Sequence, residues 1–334
     1  MFETYNFIQY RSWSGAGIMK PVDRCIAALC LEEPDRIPKF ELEFQQAEKI
    51  VGRPIITGDL YRELLRKGKK NKVLNYNVRV LVELCHKLKY DAIRLYAVPD
   101  MVEAVRLAKK LAPDMMVIGS SDGTIGIPSK VEDLFILFKR MRFDKHRLKE
   151  ECLERIRRAI ESSKAQIDAG AEAIVGCADY STTKGPFMSP ENFNEFVFPY
   201  LKMHVDAVHR AGAFYIKHTD GDLWPIMNGL VDTGIDGLHS IDPISGMDIG
   251  EVKRKVGSKV CLCGNIDVGY ILLKASVTEV VAEVKKCVFK ASPGGGHILC
   301  SSNVIQREHR LENVLAMLKA GEKYGRYPIK GHGF

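Results

Sequence analysis

No stretch of this chain approaches the ~18 to 20 consecutive apolar residues that a helix needs to cross a bilayer. The opening MFETYNFIQYRSWSGAGIMK also lacks the apolar core of a secretory leader. Both absences point to a soluble, cytoplasmic protein. Cysteine is present, but pairing signals are missing: nine thiols, an odd number, are scattered through core-like segments, which fits a reducing compartment. A strong charge of one sign is missing too, since the net charge is only +7 and the excess gathers in one run, RKGKKNK at 66–72. No aromatic residue interleaves those cations, so the run reads as a solvated loop or helix end. Neither nucleic acid nor a membrane is an expected partner. Phosphate-loop signatures fail as well. No GxGxxG follows the first candidate strand, and PGGGH at 293–297 precedes a strand, so its amides do not gather at a helix N-terminus.

What the chain does have is rhythm. Of its 334 residues, 46% are hydrophobic and 27% charged, enough apolar material for one large core. Short β-branched or apolar runs recur at 37–44, 92–98, 115–121, 173–178, 213–218, 236–241, 259–264 and 297–302. Helix-like stretches separate them, among them 131–140, 149–169, 190–211, 223–233, 277–291 and 311–324. Ser189-Pro190 supplies a cap followed by an N1 proline, and Gly170 and Gly212 stop helices just before strands. Strand then helix, eight times over, predicts an α/β fold, a single-domain (β/α)8 TIM barrel at 37–334. Residues 1–36 form an N-terminal extension: a loop around Trp13–Gly17, then a capping helix over 21–31.

Barrels of this kind build their sites at the carboxyl ends of the strands. Those ends carry Glu41 and Glu43; Tyr96 and Asp100; Ser121 and Asp122; Cys177 and Asp179; His218, Asp220 and Asp222; His239 and Asp242; Asn265 and Asp267; Cys300, Ser302 and Asn303. Any one of them is an ordinary loop starter, but so many acids and two histidines at one mouth point to a site. In His218-Thr219-Asp220, side chains two apart in extended chain point the same way, so imidazole and carboxylate face the barrel axis together. That pair suits a divalent metal or a general acid working near neutral pH, or a histidine merely oriented by its neighbour. Cys261-Leu262-Cys263 has no second pair at finger-like spacing and reads as core packing.

EPDRIP at 33–38, CGNID at 263–267, GGHIL at 295–299 and LENV at 311–314 together resemble the uroporphyrinogen decarboxylase superfamily, over about residues 21 to 328. The superfamily is one of barrels and holds both decarboxylases and methyltransferases that work with a separate corrinoid (cobalamin) protein. Dimerisation is common in it, so the resemblance implies a homodimer. Its decarboxylases carry an arginine-bearing M-R-Q-A-G-R after the first strand and an F-S-D after the second. Here the first region reads ELEFQQ at 41–46, with two acids and no arginine, and the second falls at Tyr96-Ala97-Val98 with Asp100 out of register. The thiol-specific methyltransferase branch carries a zinc site, H-x-C after the fifth strand and a cysteine after the eighth. This chain has Asp220 in place of the first cysteine and Asn303 near the last, with Cys300 close by.

Acids in place of thiolates resemble instead the O-demethylase methyltransferases, which pass a methyl group from a methoxylated aromatic compound to cobalt(I) of a corrinoid protein. On that resemblance the catalytic residues are His218, Asp220, Glu41 and Glu43. Tyr96, Asp179, Asp222, His239, Asn265 and Asn303 line the substrate, Phe187 or Trp224 adds an aromatic wall, and His218 with Asp220 is the candidate Zn2+ site. Transfer between the corrinoid protein and a thiol or pterin, and a decarboxylase of this type, are the alternatives.

Overall fold

The computed structural model describes residues 18–329; the Trp13–Gly17 segment lies outside the described residues. Seven parallel strands form one sheet: β1 (Ala92–Arg94), β2 (Met116–Ser120), β3 (Ala173–Gly176), β6 (Phe214–Thr219), β7 (Gly237–Ser240), β8 (Cys261–Cys263) and β9 (His297–Ile298), each paired with the next. β4 (Ser181–Thr182) and β5 (Gly185–Pro186) make a small antiparallel hairpin after β3. The helices in chain order are α1 (Pro21–Leu29), α2 (Ala47–Val51), α3 (Gly58–Arg66), α4 (Lys70–Leu88), α5 (Met101–Leu111), α6 (Val131–Phe143), α7 (Lys145–Asp168), α8 (Pro190–Phe196), α9 (Phe198–Arg210), α10 (Met227–Val231), α11 (Ile249–Val256), α12 (Val277–Ala291) and α13 (Leu311–Tyr324).

The expected first strand is not a regular one. Segment 37–44 still fills the gap between β9 and β1. Leu299 N–H donates to the Pro38 carbonyl at 2.9 Å, Asp91 N–H donates to the Lys39 carbonyl at 2.8 Å, and Lys39 and Phe44 make isolated parallel bridges to Leu299 and Ile305. The ladder breaks because Pro38 has no N–H and the Lys39 N–H goes to the Asp91 carboxylate at 2.9 Å. The barrel is closed by a stave, not a strand. The expected helix over 190–211 divides at Val197, where Pro199 opens α9. The stretch at 223–233 shortens to α10 after Pro225. The basic run at 66–72 is the end of α3, a turn, and the start of α4.

Strand alternation sorts the core into two shells. Ala92, Met116, Ile118, Ala173, Val175, Phe214, Ile216, Cys261 and Cys263 point into the barrel, where Phe40 and Leu42 of the stave and Cys25, Ala28 and Leu29 of α1 join them. α1 thus sits under the barrel's amino-terminal end. The intervening residues, such as Ile93, Ile174 and Leu238, face the helices. All nine cysteines are free, with Cys261 and Cys263 packed in the inner shell. No helix among the described residues is long and apolar enough to cross a membrane.

Candidate functional site

Above the last apolar layer, the next inward positions are Arg94 on β1, Cys177 beyond β3, His218 on β6 and His239 on β7. Register does the rest: His218 and His239 are direct partners in the β6–β7 ladder, and their Nδ1 atoms lie 2.9 Å apart. That contact accommodates one proton. His218 Nε2 then faces two carboxylates, Asp179 Oδ1 at 3.8 Å and Asp220 Oδ1 at 3.9 Å. Asp220 is brought over the mouth by a turn at Gly221, whose φ is +92° and where a Cβ would meet the Ser181 carbonyl carbon at 2.6 Å. The Asn303 amide donates to the other Asp220 oxygen.

The electrostatics follow from burial. Burial, the second histidine and the nearby Lys217 and Arg94 charges hold His218 well below the usual histidine range, and burial with Arg94 holds His239 down to about 3. Burial, with Asp179 and Asp242 close by, pushes Asp220 up to about 6. With the shared proton on His218 Nδ1, its Nε2 presents a lone pair to two carboxylate oxygens. A divalent cation satisfies all three donors, and a histidine ligand typically keeps its other nitrogen on just such a partner. Asp179, His218 and Asp220 are the one group among the described residues whose His, Cys, Asp or Glu ligand atoms converge within 4.8 Å. Asp220 Oδ1 is buried with no hydrogen-bond partner, which fits a missing ligand contact.

Glu41 lies deeper, tied to strand nine's exit. Its carboxyl accepts the Ser301 N–H at 3.1 Å and touches the Ser301 hydroxyl, which is also 2.5 Å from the Asn303 carbonyl. A hydroxyl has one proton and a carbonyl can only accept, so both contacts are hydrogen bonds when Glu41 is protonated and donates to Ser301. Burial pushes the same carboxyl up to about 8. Glu41 is thus a neutral acid that positions Asn303, and through it Asp220.

Other expected site residues stand elsewhere. Glu43, one position past an inward residue, holds Gln45 Nε2 at 2.9 Å and lines a separate cleft with Thr57 and Arg307. The Tyr96 hydroxyl is spent on the Phe44 backbone, donating to its carbonyl at 2.8 Å and accepting its N–H at 3.1 Å. Asp222 caps its own turn through the Trp224 N–H, and Trp224 lies under Lys255 of α11. Asn265 donates to the Ile241 carbonyl at 2.9 Å and faces an outer cleft. Phe187 packs edge-on against Phe193. Asp100, Asp242 and Asp267 cap helices or turns. Asp100, Asp222, Asp242 and Asp267 are short polar side chains at loop starts whose nearest donors are backbone amides, which win over the mouth.

Three contributors escaped the sequence reading: Arg94, Ser301 and Lys217. Arg94 was legible as the inward residue two after Ala92; the other two act through contacts made across the barrel. Lys217 is fully buried between β6 and the helices, with its Nζ 2.9 Å from Asp122, 2.8 Å from the Ala178 carbonyl and 4.2 Å from the Tyr180 ring centroid. It pins the strand that carries His218 to the loop that carries Asp179. A cavity of about 730 Å³ opens beside this loop, walled by Ser120, Cys177 and Asp179 on the barrel side and by Ile136, Arg140 and Arg155 on α6 and α7.

Comparison with known proteins adds four findings. The family model described as uroporphyrinogen decarboxylase (URO-D) matches residues 67–324. Among curated proteins, the methylcobamide:CoM methyltransferase MtaA of Methanosarcina barkeri is 27% identical over 238 residues, covering 70% of this chain; the chain spans 66% of that relative's length. A uroporphyrinogen decarboxylase of Thioalkalivibrio sulfidiphilus is 29% identical over 259 residues, covering 70% of this chain and 69% of its own. Among solved structures, a methyltransferase from Methanosarcina mazei superposes with a TM-score of 0.71 at 20% identity, covering 92% of this chain and 99% of that one, a likeness of fold.

Proposed function

We propose, from the premise that the chain belongs to the uroporphyrinogen decarboxylase (URO-D) family, that it is a corrinoid-protein-dependent methyltransferase working on the methyl-donor side. It takes a methyl group from a methoxylated aromatic compound and passes it to cobalt(I) of a corrinoid carried by a separate protein. The resemblance to MtaA supports the methyl-transfer half of this reading. The carrying observation is the donor set at the mouth: one imidazole and two carboxylates, with no thiolate among them. Neither Cys177 nor Cys300 belongs to that converging donor set.

An aryl ether releases phenoxide reluctantly, so the ether oxygen must be protonated or polarised as the methyl group leaves. Zn2+ or a similar cation held by Asp179 Oδ1, His218 Nε2 and Asp220 Oδ1 would supply that polarisation. Where no cation is held there, Asp220, whose carboxyl is pushed up to about 6, can instead hold a proton at Oδ1 facing the same point. His239 fixes the ring of His218, and Asn303 fixes the carboxylate plane of Asp220. The cobalt must approach in line with the methyl–oxygen bond, so the corrinoid protein covers the open mouth.

The test is anaerobic: the purified protein is mixed with a cobalt(I) corrinoid protein and a panel of methyl donors, and the visible spectrum is followed for methylcobalt(III). Methylcobalt is expected with methoxyaryl donors, and His218→Ala should slow it by on the order of 10²- to 10⁴-fold. Undiminished transfer in that variant, or carbon dioxide release from a carboxylated substrate without any corrinoid protein, overturns the reading.

A further inference from the structure

The barrel holds several inward or buried cations, and the fold gives almost every one of them a carboxylate. Lys217 has Asp122 at 2.9 Å, Lys39 has Glu322 at 3.0 Å, and Arg24 has Asp35 and Asp91 at 2.5 and 2.6 Å. Arg94 is an exception, and unlike the half-buried Lys253, whose Nζ has the Gly295 carbonyl at 2.6 Å, it lacks even a backbone acceptor among the described residues. Among the described residues it pairs with no carboxylate, although Glu41, Asp179 and Asp220 all belong to the same mouth. Its Nε is buried without a hydrogen-bond partner. Its remaining contacts are weak: Nη2 lies 3.9 Å from the Cys177 sulfur, and the guanidinium lies 5.8 Å from the Tyr96 ring centroid.

Placement gives this orphan a meaning. Arg94 ends β1 on the inward face, and its charge bears on both His218 and His239. Cys177, the one side chain to which it donates, lines the 730 Å³ cavity that opens beside Asp179. The guanidinium therefore stands beside a side chain that walls that cavity. A buried N–H without an acceptor is costly, and a planar fork of donors is shaped for the two oxygens of a carboxylate.

We infer that Arg94 anchors a carboxylate on the substrate, so that the methyl donor is an anionic, carboxylated aromatic ether. The charge at Arg94 and the cation site at His218 then hold opposite ends of one molecule. The inference rests on the methyl-donor reading for what the molecule carries at His218, and on Arg94 alone for its charge.

The test separates the two. The full-length protein is titrated calorimetrically with 4-methoxybenzoate and with its uncharged isostere 4-methoxybenzamide, in the wild type, Arg94→Gln and Arg94→Lys, with thermal melts alongside. The wild type is expected to prefer the carboxylate by on the order of 10- to 100-fold. Arg94→Gln should abolish that preference while leaving weak amide binding, and Arg94→Lys should restore part of it. Equal affinity for the two compounds, no binding of the carboxylate, or a preference that survives Arg94→Gln overturns the inference. The methylcobalt assay is then run with the same variants. Transfer from uncharged donors in Arg94→Gln, with loss of transfer from the carboxylated one, supports it; unchanged transfer from both overturns it and leaves the methyltransferase reading standing. Carboxylate binding through Arg94 without methyl transfer from any donor sinks the methyltransferase reading and leaves the anion site.

Discussion

At the amino-terminal end of the barrel, Asp91 accepts from Arg24 Nη1 at 2.6 Å, from both terminal nitrogens of Arg36 at 2.8 Å and from the Lys39 N–H at 2.9 Å. Asp35 takes the other Arg24 nitrogens at 2.5 and 2.9 Å. Each of these four carboxylate oxygens has two donors, the Met19 and Arg36 N–H groups included, and the cluster ties α1 and the irregular stave to β1. At the carboxyl end, Asp220 Oδ1, His239 Nε2, Ser240 Oγ and Arg94 Nε are all buried and unmatched. One chain has satisfied these carboxylates at one end and left buried polar atoms open at the other. The closed end is stability; the open end is free energy withheld from folding and available to a ligand.

This contrast can be broken or sharpened by substitution. Arg24→Met should have the largest effect on folding, because it leaves Asp91 and Asp35 short of partners in a buried network. A loss of about 3–5 kcal/mol in denaturant unfolding is expected, with methyl transfer per folded molecule unchanged. Asp220→Asn removes a charge that has one unmatched oxygen, so stability should move by no more than about 0.5 kcal/mol. Its cation affinity should fall by about tenfold or more, read by metal analysis after dialysis against graded chelator. A large stability loss in this variant would place Asp220 with the closed end.

The third effect concerns Glu41, and it is one of slope. Its folded-state carboxyl titrates near 8 against an ordinary 4.5, so the native state holds an extra proton between those values. The stabilisation from the neutral acid is therefore complete below about pH 4.5 and is lost as pH rises through 8. Glu41→Gln mimics the neutral acid and should flatten the stability profile between pH 5 and 8 while retaining methyl transfer. Loss of transfer in that variant would make Glu41 an ionised catalyst after all.

Much of this architecture was readable in advance. Seven of the eight predicted staves are strands, because their inward and outward faces are both apolar and their ends are marked by glycine, proline and caps. The eighth was misread as regular since its pattern looks the same: Pro38 and the claim of Asp91 on the Lys39 amide spoil the ladder without changing the hydrophobic rhythm. Within the site, His218 and Asp220 were legible as neighbours on one face of one strand. Glu43, Tyr96, Asp222 and Asn265 were grouped with them by position alone, while backbone groups hold Tyr96, Asp222 and Asn265 and the Gln45 side chain holds Glu43.

The sequence by itself determined the barrel, the face on which His218 and Asp220 lie, and the family to which the chain belongs, because periodicity and short motifs are local properties. Only the tertiary structure decided that His239 is the partner of His218, that Glu41 is a neutral prop acting through Ser301, and that Arg94 has no counter-ion. Those facts depend on strand register and on contacts between residues up to 260 positions apart, and whether a buried charge is matched is settled by every neighbour at once.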